Sequence, residues 1–453
     1  MYHGPHLPFS EESSLQQRPS HPTCTQASPS HFDLQDSILQ GKYPAKAHCA
    51  KVASYLQTKS ANAAGKAVIY LEGQKTILIE DNDEPRPFRQ RRSFFYLSGC
   101  SLPDCHLVYE FSSSTLTLFI PDLDPDSVIW SGLPLMPAEA LRTYDIDNCL
   151  PNSSLAAHMS SLAQKDSDIR FYLKDIPRDA LLSIAETTVS TDTNLLHPAI
   201  DECRVTKDAY EVALIRQANT ISTAAHTAVL RAIPTARNEQ DLEAVFTASC
   251  IAHGAKHQAY PGIFGSGENA ATLHYQHNNQ PLSARANILV DAGAEWNCYC
   301  SDVTRTMPLL RSEEAGAATF DPPTRAIYTL VLRMQTAALS LLKAGVAWET
   351  LHLRAHEVAV QGLLDLGILR RPDEGCTVAD LMRERISVAF FPHGLGHHLG
   401  MDTHDTGGNP DYGDRDSLFR FLRIRGSVPE GAVVTVEPGV YFCRFISGAV
   451  FAG

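Results

Sequence analysis
Four histidines and two aspartates fall within fifteen residues, Phe391-Pro-His-Gly-Leu-Gly-His-His-Leu-Gly-Met-Asp-Thr-His-Asp405, interleaved with glycines. Imidazole titrates near neutrality and binds metal ions, and glycine lets backbone approach a ligand closely. Such a density of reactive types marks a reactive site. Two upstream acids belong with it. Asp291 ends the apolar run Ile288-Leu-Val290, where a carboxylate is costly to bury alone, and Asp302 comes eleven residues later, beyond a turn. An antiparallel partner strand would bring Asp302 back alongside. Glu437 closes Val433-Val-Thr-Val436 in the same manner, ahead of Pro438-Gly439. Taken singly, each acid reads as a turn residue. Taken together, like charges at strand ends need a cation between them, and the set points to a hydrolytic metal centre.

His393 and His397 are four apart, as in helical metal pairs, but Gly394 and Gly396 argue for strand or loop, so the helical reading fails. Oxygen-rich ligation with one imidazole suits Mn²⁺, Co²⁺ or Zn²⁺ better than a thiolate site would. The remaining histidines then serve as acid, base or substrate ligands, with His398 read as structural.

The elements that must position these groups follow from the apolar pattern. A chain of 453 residues exceeds one ordinary core, and 44% hydrophobic content supports two. Residues 1–40, rich in Ser, Pro, His and Gln, read as a disordered extension. An α/β unit over 41–200 carries strands at Ala67–Leu71, Thr76–Ile79, Leu107–Tyr109 and Leu116–Ile120, with Phe94-Phe-Tyr96 strand-like. In the unit over 201–453, Thr206 is placed to cap a helix through Ala225, and Asn238 a second one. Strands at Ile288–Val290 and Val303–Met307, joined by a polar turn, come next. Helices near 324–342 and 348–366 and a strand at Ala432–Val436 repeat that order, which suggests an internal duplication.

A formal charge of -13 excludes an electrostatic nucleic-acid surface, and the short run Arg89-Gln-Arg-Arg92 reads as a solvated loop. No run of eighteen apolar residues offers a membrane span, and eleven scattered cysteines fit a reduced, cytoplasmic protein.

The motifs Leu273-His274-Tyr275, Val290-Asp291-Ala-Gly, Ser301-Asp302-Val-Thr-Arg-Thr306, His393-Gly-Leu-Gly-His397, Gly400-Met-Asp-Thr-His-Asp405 and Thr435-Val-Glu-Pro-Gly-Val-Tyr441 stand in order over about 203–442. In this they resemble the methionine aminopeptidase, aminopeptidase P and prolidase superfamily, and most closely its Xaa-Pro aminopeptidase and prolidase branch. The resemblance implies an α/β (α+β) chain: a pita-bread domain preceded by a creatinase-like amino-terminal domain. It makes Asp291, Asp302, His397 and Glu437 ligands of two ions, usually Mn²⁺, with Asp302 bridging them. His274, His393 and His404 match positions that contact substrate, stabilise the tetrahedral intermediate or pass protons. The implied reaction is attack of a metal-bridging hydroxide on a peptide with proline in second place, by an aminopeptidase or a dipeptidase. A non-catalytic scaffold of the same shape is the alternative. Relatives dimerise or tetramerise, so a homodimer is allowed. The family's second bridging glutamate, on a Gly-x-Arg-x-Glu strand, has no counterpart after Ile446. The last hairpin is therefore expected to be broken, the carboxyl terminus truncated or altered, and activity of this form weak or absent until the strand is restored.

Overall fold
In the computed structural model, residues 37–59, 66–165, 168–174, 190–309 and 318–443 are described. Strand β1 (Ala67–Glu72) sits inside a mixed six-stranded sheet with β2 (His106–Glu110), β3 (Thr115–Ile120), β4 (Asn148–Pro151), β5 (Arg170–Leu173) and β6 (Ser190–Asp192), in the order β4-β3-β2-β1-β5-β6. Side chains alternate across a strand, so β1 serves two cores. Val68 and Tyr70 pack with Met159 and Leu162 of α5 (Leu155–Lys165). Ile69 and Leu71 face the opposite side, where α1 (Ala45–Lys59), α2 (Arg92–Ser98) and α6 (Leu196–Val205) supply Leu56, Phe94 and Ile200. Two short helices, α3 (Val128–Ser131) and α4 (Pro137–Thr143), cross between β3 and β4. The core under α2 does not stop at the unit's edge. It runs on through Leu214, Tyr299 and Met401, so the two units share one apolar interior.

The second unit opens with the antiparallel pair α7 (Ala209–Ala232) and α8 (Glu239–Ala252). Asp208, rather than Thr206, caps α7, in a reciprocal box with Glu211; Thr206 ends α6 and bridges to Ala432. Strands β8 (Ile263–Ser266), β9 (Asn287–Asp291) and β12 (Thr304–Pro308) form an antiparallel sheet in the order β12-β9-β8, with Asp291 opposite both Thr304 and Ile263. The link from β9 to β12 is more than a turn. It contains the hairpin of β10 (Ala294–Trp296) and β11 (Tyr299–Cys300), which pairs with β7 (His257–Gln258) in a separate sheet. Helices α9 (Pro322–Leu341) and α10 (Trp348–Asp365) repeat the helix pair, and α11 (Val378–Arg383) leads into the His-Gly segment.

Several sequence expectations need correction. Phe94–Tyr96 lies in α2 and is buried all round, a case in which a short apolar run cannot be told from a strand by periodicity. Thr76–Ile79 makes only the bridge Leu78–Pro85 and leaves Ile77, Leu78 and Ile79 exposed, so β-branched composition without burial does not make a strand. Ala432–Val436 is extended but bonds at alternate residues with 395–399 through isolated bridges, and no continuous ladder forms there. A second helix pair is thus present, and the 432–436 segment pairs with 395–399 without forming a named strand among the described residues. Ser37–Gln40, counted with the extension, is a 3₁₀ turn that buries Leu39; residues 1–36 lie outside the described residues. The expected break after Ile446 lies outside them too.

Candidate metal centre
Each acid of the sequence reading is delivered by a different piece of backbone. Asp291 ends β9, Asp302 precedes β12, and Glu437 follows the 432–436 segment, whose partner is the His-Gly stretch. Alternating bonds Leu399 N to Val433 O, Thr435 N to His397 O and Glu437 N to Leu395 O, each 2.9 Å, put His397 and Glu437 side by side. Glycine is needed for that approach. A Cβ on Gly396 would stand 2.2 Å from Thr435 O, and one on Gly293 would stand 1.9 Å from Ser301 O, beside Asp302.

The result is a group of Asp302, His397 and Glu437 whose ligand atoms lie within 4.8 Å of one another. His397 Nε2 is 3.1 Å from Asp302 Oδ2 and 3.0 Å from Glu437 Oε1. Its other nitrogen, Nδ1, is 2.9 Å from the acceptor His398 O, which fixes a proton there and aims Nε2, the donor to the carboxylates in the absence of metal, into the group. Thr435 Oγ1 donates to Glu437 Oε1 at 2.9 Å. Asp291 joins through Tyr260, whose hydroxyl stands 2.6 Å from Asp291 Oδ1 and 3.0 Å from Asp302 Oδ1. A hydroxyl has one proton for these two oxygens.

Without a cation this arrangement is electrostatically unhappy. Burial, then the Asp302 charge, pushes Asp291 up to about 7, with Glu437 adding to it. Burial acts to lower His397, but its bonds to Asp302 and Glu437 outweigh burial and hold it at about 10. Burial raises Glu437, and the hydrogen bond and charge of His397, joined by the His393 charge and the Thr435 hydrogen bond, together more than offset this, leaving it below its ordinary value. A proton on His397 is doing what a metal ion would do. The donor set, two or three carboxylates and one tautomer-locked imidazole, fits a divalent ion of the hard or borderline kind.

The substrate-side histidines surround this group. The His404 ring meets His397 edge-on at 4.5 Å, and burial followed by the His397 charge lowers it to about 4. His393 is half-buried, with Nε2 at 3.0 Å from the Tyr441 hydroxyl and Nδ1 at 2.8 Å from Gly394 O; desolvation lowers its pKa. His274 is exposed in the turn before Tyr275, near enough that its charge also bears on His404. His398 gives its backbone carbonyl to His397 Nδ1, while its own ring Nδ1 is buried without a hydrogen-bond partner among the described residues.

Sequence reasoning missed the groups that hold these in place. Asp402 and Asp405, first counted with the reactive cluster, are anchors. Arg204 Nη2 reaches Asp402 Oδ2 at 2.7 Å and Asp405 Oδ1 at 2.6 Å, and Lys207 Nζ reaches Asp405 Oδ2 at 2.8 Å. Arg89 and Arg92 are no solvated loop, because both bind the buried Glu295. Glu239 is more than a helix-end charge. Fully buried, it accepts from Ser266 N, Ser266 Oγ, Tyr275 OH and Gln280 N, and so buckles the loop that carries His274. Tyr260 left no spacing signal. Replacing it with Phe is expected to raise the dissociation constant for metal ~10–100-fold, with a smaller loss of rate at saturating metal, as for other residues that orient ligands. Metal titration by calorimetry checks this, and an unchanged constant would refute the role.

A buried imidazole locked against facing carboxylates in an α/β scaffold defines a metal-dependent hydrolase. The chain matches the model of metallopeptidase family M24 over residues 213–452 and that of the aminopeptidase P amino-terminal domain over 48–172, and it belongs to family M24. It is 52% identical over 417 residues to a probable Xaa-Pro aminopeptidase of Aspergillus terreus, covering 91% of this chain and 86% of that protein. A probable Xaa-Pro aminopeptidase of Pyrenophora tritici-repentis is 53% identical over 411 residues, with 91% and 85% covered. The fold superposes on aminopeptidase P from E. coli with a TM-score of 0.73 at 26% identity, over 89% of this chain and 88% of that one. The architecture is accordingly an aminopeptidase P-like amino-terminal domain followed by a pita-bread domain.

Proposed function
We propose that this chain is an Xaa-Pro aminopeptidase that releases the first residue from peptides with proline in second place. The observation that carries the reading is His397 Nε2 facing Asp302 and Glu437 at about 3 Å, with Asp291 tied in through Tyr260. Asp291, Asp302, His397 and Glu437 would hold two Mn²⁺ ions, with Co²⁺ or Zn²⁺ as substitutes. Bound there, the metal supplies a lowered water pKa and a charge that stabilises the developing oxyanion. The protein's own groups do the rest. His404, held neutral by its surroundings, can accept or donate a proton at the metal-facing side. His393, oriented by Tyr441, can bind the substrate carbonyl, and His274 on its buckled loop can meet the substrate from solvent. Proline selectivity is a natural task here, since its tertiary amide has no N–H for a general peptidase to bind.

The test is release of the first residue from Xaa-Pro-Yaa but not Xaa-Ala-Yaa peptides with Mn²⁺. The 453-residue chain should be assayed beside a form carrying a Gly-x-Arg-x-Glu strand after Ile446; inertness of both overturns the reading. A cytoplasmic location is proposed with it, supported by the free thiols of Cys49, Cys100, Cys105, Cys203 and Cys250. No helix among those residues is long and apolar enough to cross a membrane. A homodimer is proposed as well, supported by the apolar face of α3 and its flank, where Ile129 is 83%, Trp130 86% and Leu133 70% exposed. Trp130→Asp is expected to convert dimer to monomer in sedimentation; a monomeric parent protein would exclude the dimer.

A further inference from the structure
Arg92 reaches where its own place in the chain gives it no reason to go. It is the first residue of α2, at the helix's positive end, where a cation is locally disfavoured, yet its side chain is only 11% exposed. Both of its partners are acids of the other unit. Nη1 and Nη2 bond Glu295 at 3.2 and 2.5 Å, and Nε bonds Asp402 Oδ1 at 3.3 Å. The other oxygen of Asp402 takes Arg204 at 2.7 Å, so one carboxylate joins two guanidinium groups. Arg204 also grips Asp405. The turn Asp402-Thr403-His404-Asp405 is therefore held on both sides of His404, and Thr403 is tied to Ala259 O at 3.2 Å.

Arg89 provides the contrast. It binds the same Glu295 Oε2, at 3.1 and 2.5 Å, but it is half exposed and, among the described residues, its bonds to side chains end at Glu295. A generic clamp between the units would use both arginines alike, whereas only Arg92 continues to the His404 turn.

We propose that Arg92 is a positioning residue for the reaction: held by Glu295, it fixes Asp402 and through it the imidazole of His404 beside the metal-binding group. The amino-terminal domain then takes part in the chemistry of the pita-bread domain. This rests on the reading of His404 as a substrate-side residue. It also accounts for a cation at an unfavourable helix position, a local rule broken where function gains by it.

The test is a double-mutant cycle on Xaa-Pro-Yaa hydrolysis with Mn²⁺, using Arg92→Met, His404→Ala and the pair, with Arg89→Met as control. Arg92→Met is expected to lower kcat ~10-fold with KM nearly unchanged, as misplacement of a reacting group does, and Arg92→Lys to recover part of the loss. In the His404→Ala background the loss should disappear, and Arg89→Met should leave kcat within about two-fold of the parent. Equal losses with and without His404, or equal losses from the two arginines, overturn the proposal. A second readout needs no turnover. The His404 ring resonance of the metal-free protein, assigned by its loss in His404→Ala, should move in Arg92→Met and stay in Arg89→Met. An unmoved resonance overturns the positioning role. A moved one in a protein inert toward Xaa-Pro peptides overturns the activity reading and leaves the positioning role standing.

Discussion

Glu437→Gln is expected to release bound metal and lower kcat/KM by ~10³-fold or more without unfolding the protein, since a bound ion contributes several kcal/mol to the transition state. The amide has the shape of the carboxylate and can still accept from Thr435 Oγ1, so the 395–399 and 433–437 pairing is kept. What disappears is the charge facing His397 Nε2 at 3.0 Å. Glu437 also repels Asp291, so in the variant the Asp291 carboxyl should fall from about 7 toward its ordinary range. The metal-free variant should therefore melt no lower than the metal-free parent on account of Asp291, against the lost bond to His397. Elemental analysis of the purified variant, its melting curve and its kinetics decide the matter together. Full metal content with full activity would sink the ligand assignment. Loss of both accompanied by loss of fold would make Glu437 a structural residue.

The second large effect is a change of stability with pH that reverses when metal is added. Asp291 is raised to about 7 in the folded protein from its ordinary value of 3.8, so the folded state holds its proton more tightly. That contribution is fully present below about 3.8 and is lost as pH climbs through about 7. His397 is raised to about 10 from 6.5, with the same sign: its stabilisation is present below 6.5 and is lost toward pH 10. At these two groups the unfolded chain binds fewer protons, so each makes the metal-free protein less stable as pH rises, whereas the buried histidines held low, His393, His398 and His404 among them, act with the opposite sign as pH climbs through about 6.5. Between pH 7.5 and 9, above the histidine range, the loss from His397 should be on the order of 1 kcal/mol, after allowance for water reaching the site. A divalent ion replaces these protons, so its affinity should increase over the same interval. At a hundred times its dissociation constant it should restore about 2.7 kcal/mol. Urea unfolding at pH 7.5 and 9, with chelator and with Mn²⁺, measures all four corners. A metal-free protein equally stable at both pH values would show that the carboxylates do not crowd His397 as the structure has them.

The parts of this molecule that were legible in its sequence are those where one local rule acts alone. Asn238 caps α8 because an asparagine side chain can accept from the first helical N–H groups, and the apolar positions behind it have one period. The four strand-end and His-Gly ligand candidates could be read because acids beside apolar runs and glycines between histidines are locally costly. What stayed hidden depends on distant partners. Phe94–Tyr96 could not be told from a strand until both faces were seen to be covered. The route from Asp291 to Asp302 looked like a turn because the β10-β11 hairpin is paired with β7, whose residues lie 36 and 38 positions before their partners. Tyr260 and Arg92 carry no signal at all in one dimension, since a tyrosine in a loop and an arginine in a basic run are ordinary. Their importance lies in bonds to residues 31 to 310 positions away.

The apolar interior that runs from Leu39 and Tyr43 through Leu214 to Met401 bears on how the enzyme could meet its substrate. A hinge needs two bodies that can part without exposing much hydrocarbon, and here parting would open a core that contains Tyr96, Tyr299 and Leu97 to water. The placement of the two units against each other is then decided when the chain folds and not at each turnover. Heat should likewise melt both halves in a single transition, and a protease should find no seam at which to separate them.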